Sequence, residues 1–220
     1  MSGNRLSRLQ RRALRVLARL DPPWTLTGGG ALVGFHLGHR ETRDLDLFWR
    51  NRGELGDLVA DALGALRSDG LDAQALRIAP AFAELRVTDG TDACIVDLVA
   101  EPFAPVEAPV RAEIEGAPIA VDSRRELLAS KLATLLERSE ARDLADVKAL
   151  LEAGGDLEAG LRDAPLKDAG FSSLTLAWVL KSYDPRAAAK ALGLSDSRLE
   201  ELVSFRQWLI DRLTSLAAPE

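Results

Sequence analysis

Between residues 44 and 49 the chain reads Asp-Leu-Asp-Leu-Phe-Trp. That alternation suits an extended strand with one polar and one apolar face, because successive side chains point to opposite sides. Asp44 and Asp46 then share a face, and Leu45 and Leu47 share the other. Two carboxylates held side by side repel unless something positive lies between them. A divalent cation meets that need, and an oxygen-only set of ligands suits Mg²⁺ or Mn²⁺ better than zinc. A third aspartate, Asp97, stands within the apolar run Ile95-Val96-Asp97-Leu98, where a lone charge is unfavourable without a partner. Three strand-borne carboxylates on one sheet face can hold two metals about 4 Å apart for in-line phosphoryl or nucleotidyl transfer. An isolated Asp-x-Asp more often marks a solvated edge, so the weight lies in what surrounds it.

What precedes it is Gly28-Gly29-Gly30, read as a turn between a strand at 24–27 and a short helix at 31–37. A glycine pair opening a helix lets backbone N–H groups approach a phosphate at the positive helix end. The order strand, glycines, helix, arginine, Asp-x-Asp strand and later Asp strand is a specific pattern, although each part alone is common.

Around these segments the chain divides in two. Residues 5–20 read as an amphipathic helix, with Arg5, Arg8, Arg12, Arg15 and Arg19 within roughly 80° of one another. Asp21-Pro22-Pro23 ends it. A helix is expected over 54–67, a weak strand over 75–79, and strands over 83–87 and 93–99. Thr88-Asp89-Gly90-Thr91-Asp92 joins the last two as a hairpin turn. Pro102, Pro105 and Pro109 mark a loop before a last strand at 119–121. Ser123-x-x-Glu126 has capping-box spacing. From there the pattern is helical, with breaks near Gly154-Gly155, Gly170 and Pro185 and a second capping box expected at Ser197–Glu200. The expected domains are 1–122, an α/β core with an N-terminal amphipathic helix, and 123–220, a helical domain.

Composition narrows the function classes. With 220 residues, 47% of them hydrophobic, the chain can bury a substantial core. No run approaches the roughly 20 apolar residues of a spanning helix, and none resembles a signal peptide, so a cytoplasmic protein with no membrane partner is expected. The single cysteine, Cys94, excludes an internal disulfide and a cysteine-rich zinc site. A net charge of −6 argues against a protein that coats nucleic acid, so any such contact is local.

The residues resemble the nucleotidyltransferase AbiEii/AbiGii toxin-like family of the DNA polymerase β-like superfamily. Gly28-Gly29-Gly30-Ala31-Leu32 matches its G-G-T-A-L, and Arg40-Glu41-Thr42-Arg43-Asp44-Leu45-Asp46-Leu47-Phe48 matches its R-x-S-x-D-h-D-h-F, where h is apolar. A second block, Glu126 to Lys131 and Arg142-Asp143-Leu144-Ala145-Asp146, looks like the family's lysine helix and R-D-x-x-D. Gly30 replaces the usual Thr and is expected to remove one hydroxyl contact, whereas Thr42 in place of Ser keeps its hydroxyl.

The resemblance implies an α/β (α+β) fold, a palm-like mixed sheet with flanking helices plus a C-terminal helical domain. It also implies a toxin-like enzyme that transfers NMP from an NTP, in some members onto the acceptor end of tRNA, with a cognate antitoxin as partner. Asp44, Asp46 and Asp97 are then the metal ligands for Mg²⁺ or Mn²⁺, and Gly28, Gly29, Thr42, Arg40 and Lys131 contact the NTP. On its own pattern Lys131 lies amid Leu127, Leu128 and Leu135, where it either snorkels to water or meets an anion. Asp143 and Asp146, three apart on the next helix, could anchor Lys131 or Arg142 or serve as base. A small-molecule nucleotidyltransferase of antibiotic type and a non-catalytic nucleotide-binding protein are the alternatives.

Other features are read as structural: His36 as packed or half-exposed, Cys94 as buried on the face opposite Asp97, and Trp178 and Trp208 as core. The arginine face of residues 5–19 is either solvated or a place for an RNA backbone.

Overall fold

The computed structural model describes residues 5–186 and 195–217. Two compact units divide the chain, Met1–Ser123 and Arg124–Glu220.

The first unit is built on seven strands: β1 (Thr25–Thr27), β2 (Asp44–Arg50), β3 (Asp72–Ala79), β4 (Phe82–Thr88), β5 (Ala93–Glu101), β6 (Val110–Ile114) and β7 (Ala117–Val121). They form one sheet in the order β3-β4-β5-β2-β1-β7-β6. β2 and β5 run parallel, as do β1 and β7, and the remaining pairs are antiparallel. The alternation read in the sequence fixes the faces: Leu45, Leu47, Trp49, Leu85, Val87, Val96 and Leu98 are buried on one side. The positions between them, including Asp44, Asp46 and Asp97, stay half-exposed on the other.

Helix α1 (Arg8–Leu17) starts three residues later than its periodicity predicts, because Ser7 caps it. Ser7 Oγ accepts from the Gln10 N–H at 3.2 Å, and Gln10 Oε1 accepts from the Ser7 N–H at 2.8 Å. Part of its arginine face is tied within the chain. Arg12 and Arg15 pair with Asp69, and Arg11 and Arg15 with Glu115. The Arg12 hydrogen bond holds the Asp69 carboxyl below its usual range.

The glycine segment is not a turn. Helix α2 (Gly28–Ala31) begins on it and continues as a π-helical turn, Leu32–His36, closed by the Leu37 N–H donating to Leu32 O at 2.7 Å. Gly28, with φ of +58°, changes direction from strand to helix in one residue, so no separate turn is needed. Helix α3 (Leu58–Ser68) leads into β3. β6 escaped the sequence reading because its hairpin turns at Glu115-Gly116, both at positive φ, and Glu is a poor signal for such a turn.

The second unit comprises α4 (Arg124–Arg138), α5 (Ala141–Glu152), α6 (Leu157–Asp163) with a 3₁₀ turn at Ala164–Leu166, α7 (Ser173–Ser182) and α8 (Asp196–Leu216). Leu127, Leu132, Leu144, Leu150, Leu176 and Leu209 are among its fully buried side chains. Two expectations fail here. Ser195, not Ser197, caps α8, its hydroxyl accepting from the Arg198 N–H. Trp178 and Trp208 are not core: they are 69% and 47% exposed, since the leucines of α7 and α8 already fill the buried stripe.

Candidate active site

Sheet register brings the three aspartates of the first unit onto one face. Asp46 is the direct partner of Asp97 across the parallel β2–β5 pair, and Asp44 lies two positions before Asp46 on the same side. The row continues beyond them. Glu84 on β4 is the antiparallel partner of Asp97, so Asp46, Asp97 and Glu84 stand at one level on three adjacent strands. Neighbouring strands are about 4.8 Å apart, close enough for each carboxylate to feel the next. Burial first, and then the charges of Asp46, Glu84 and Asp44, push the Asp97 carboxyl up from 3.8 to about 7. Its Oδ1 is buried and has no hydrogen-bond partner.

Glu84 was missed in the sequence reading, yet its position could be counted. The hairpin at 88–92 pairs Thr88 with Ala93, and four steps back along β4 meet four steps forward along β5 at Glu84 and Asp97.

The glycines close the other side of this row. A Cβ on Gly28 would stand 2.1 Å from Asp46 Oδ2, so only glycine lets the helix start lie against that carboxylate. A Cβ on Gly29 would meet Thr42 Oγ1 at 2.8 Å and an Arg40 guanidinium nitrogen at 3.1 Å. Gly28, Gly29, Arg40, Thr42 and Asp46 are thereby brought together, although 18 residues separate the first from the last (46 − 28). Gly30 points elsewhere. Its Cβ would face Leu26 and Leu45 at 3.2 Å, in the core and not toward Thr42 or Asp46. Thr42 Oγ1 donates to Asp44 O at 3.3 Å, and the buried Gln10 of α1 holds the same loop, its Nε2 donating to Thr42 O at 3.0 Å.

Carboxylate oxygens, an orphaned buried Asp97 oxygen and a cradle that any Cβ would fill together suit a hard divalent cation. The carboxylates stand side by side, and among the described residues no group of three or more His, Cys, Asp or Glu side chains is arranged to hold a metal ion.

In the second unit Lys131 Nζ lies 2.7 Å from Asp143 Oδ1 and 2.8 Å from Asp146 Oδ2, all three side chains buried. Burial disfavours the ammonium, but Asp146 and Asp143 outweigh it and raise the lysine pKa above its usual value. Arg138 Nε also donates to Asp143, at 2.9 Å. Of the alternatives left open for the two aspartates, anchoring Lys131 is what the structure contains. Arg142 is exposed.

His36 is half-exposed, with its Nε2 2.8 Å from Asp122 O, and Cys94 is buried, which pushes its thiol up to about 12.

The profile of the nucleotidyl transferase AbiEii toxin family, of type IV toxin–antitoxin systems, matches residues 12–210. The chain belongs to this family. Both glycine and aspartate segments, and the Lys131 cluster, lie inside the matched range. JHP933 of Helicobacter pylori is similar in structure, with a TM-score of 0.55, 21% identity and 96% of each chain covered. MenT4, a nucleotidyltransferase toxin from Mycobacterium tuberculosis, gives 0.54 at 21% identity over 72% of this chain and 61% of that one. The antibiotic-resistance factor ANT(2'')-Ia gives 0.50 at 15% identity over 73% and 92%. These likenesses establish the nucleotidyltransferase fold. A search of curated protein sequences finds no match. No helix among the described residues is long and apolar enough to cross a membrane.

Proposed function

We propose that this AbiEii-family nucleotidyltransferase transfers NMP from an NTP to a hydroxyl at the acceptor end of tRNA, as the toxin of a toxin–antitoxin pair. The observation that carries the reading is the row Asp46–Asp97 lying directly against the Gly28 helix start. Asp44, Asp46 and Asp97 are assigned as ligands of Mg²⁺ or Mn²⁺, which when bound would neutralise the phosphate charge that builds in an in-line displacement. Gly28 and Gly29 offer backbone N–H groups to the triphosphate, with Thr42 Oγ1 and Arg40 beside them. The acceptor hydroxyl oxygen forms a bond to the α-phosphorus and releases its proton to solvent as the bond from that phosphorus to the bridging oxygen breaks, so pyrophosphate leaves. Lys131 has three N–H donors and gives two to Asp143 and Asp146, which leaves one for an anionic group. Asp143 then acts by holding that ammonium charged and in place.

A second reading, a cationic small-molecule acceptor, draws on Glu84, which adds a fourth carboxylate beside Asp97. One experiment separates the two. The protein and its Asp46→Asn variant are incubated with Mg²⁺, each labelled NTP in turn and total tRNA. Label entering RNA with the wild type alone supports RNA nucleotidyl transfer and names the nucleotide. NTP binding without labelled RNA overturns the tRNA assignment, and transfer by the variant overturns the metal assignment.

A further inference from the structure

The nucleotidyl-transfer reading leaves the acceptor without a binding surface, and the sheet supplies one. Next to the row of Asp46, Asp97 and Glu84 runs a second row on the same face: Asp44, Ile95, Arg86 and Gln74, on β2, β5, β4 and β3. Arg86 is therefore two strands, about 10 Å, from Asp44. It helps to line a cleft of about 580 Å³ that also includes Thr42, Arg43, Thr88 and Thr91.

Position beside the aspartate row distinguishes this cleft, since Arg77 and Arg111 are also exposed and, among the described residues, without a carboxylate in ion-pair range. Arg11, Arg12, Arg15 and Arg50 are committed to carboxylates within the chain. Arg67 donates to Ala73 O. Arg43 and Arg86, by contrast, are exposed, and among the described residues neither has a carboxylate within ion-pair range. The acids at the rim are Glu41 and Asp92, and Asp92 Oδ1 already accepts from the Ala93 N–H at 2.8 Å.

In-line displacement places the attacking and leaving groups on opposite sides of the α-phosphorus. With the leaving pyrophosphate on the Gly28–Gly29 side of Asp46, the acceptor enters from the opposite side, over β5 and β4, where Arg86 stands. Two unpaired guanidiniums beside hydroxyls make a forked donor set for phosphate oxygens.

We propose that this cleft is the acceptor subsite, and that Arg43 and Arg86 bind backbone phosphates of a nucleic-acid acceptor strand. The inference rests on the nucleotidyltransferase reading and deepens it. Backbone contact of this kind positions a strand without reading its sequence. It also reconciles an acidic protein with a nucleic-acid substrate, since the cationic contact is confined to two side chains.

The test measures binding of labelled deacylated tRNA across a salt series, for the wild type, the Arg43→Gln/Arg86→Gln double variant and the Arg43→Lys/Arg86→Lys double variant, alongside NTP binding in Mg²⁺. Both arginines are exposed, and thermal melting of each variant checks that it folds. The glutamine variant is expected to bind tRNA about tenfold or more weakly, with a salt slope shallower by about 0.7 for each arginine removed. The lysine variant should keep most of the slope, and NTP binding should stay at the wild-type level in both. Unchanged tRNA affinity and slope in the glutamine variant would overturn the subsite, as would a wild type that binds no tRNA. Loss of NTP binding would overturn it too, reassigning the cleft to the triphosphate. A wild type that binds tRNA through both arginines but transfers no nucleotide would uphold the subsite and sink the transfer reading instead.

Discussion

Asp46 and Asp97 occupy partner positions on two parallel strands, so their carboxylates share one sheet face although 51 residues separate them (97 − 46). Glu84 joins them from the far side of Asp97. Three acids at one level are held there by backbone pairing, not by any attraction among themselves.

That crowding carries a pH signature. The Asp97 carboxyl is raised from 3.8 to about 7, so between these values the folded protein binds more protons than the unfolded chain. Stability of the metal-free protein therefore falls as pH rises through that window, by an amount that solvent screening of this half-exposed group reduces. Calorimetric melting from pH 4 to about 8 should show a decline that Asp97→Asn flattens. Parallel curves for the two proteins would count against the raised pKa. Adding Mg²⁺ just below pH 7 should release protons from the wild type, measurable as a buffer-dependent heat.

Gly28→Ala tests the cradle. The residue sits at φ of +58° and its new methyl would press on Asp46 Oδ2. The left-handed backbone position alone costs about 1–3 kcal/mol for a residue with a side chain. Transfer activity should drop further than the stability loss accounts for, because Asp46 must move. A variant that melts near the wild type and keeps full activity would show that the close approach is not maintained in solution.

Lys131→Met should be among the most destabilising single changes in the second unit. It leaves Asp143 and Asp146 buried without their cation, a situation that costs about 3–5 kcal/mol. Arg138 offsets part of this at Asp143. Urea unfolding of Lys131→Met and of Lys131→Met/Asp143→Asn/Asp146→Asn gives the comparison: the triple variant should recover much of the loss, and equal losses in both would argue that the leucine packing, not the charge, was disturbed.

Trp178→Ser should change stability by no more than about 0.5 kcal/mol, since the side chain is 69% exposed. A loss of several kcal/mol in a thermal melt would mean that the tryptophan is packed after all.

The sequence by itself determined the parts whose cause is local. Strand alternation put Asp44 and Asp46 on the polar face of β2, the hairpin turn set the β4–β5 register, and the family's motifs named Gly28, Gly29 and Thr42. It also contained Glu84, which counting back from Thr88 would have found. Only the tertiary structure decided the rest. That β2 lies beside β5 and not beside β3 depends on sheet order, which local periodicity does not encode, and with it went the partnership of Asp46 with Asp97. The tryptophans show the same limit from the other side. Helical spacing marks Trp178 and Trp208 as stripe residues, but whether a stripe is buried depends on which neighbouring helix covers it, and at these two positions solvent does. Gln10 makes the point once more: its capping role is legible from Ser7 three residues before it, whereas its bond to Thr42, which fixes the loop beside the aspartates, exists only because the fold carries α1 to that edge of the sheet.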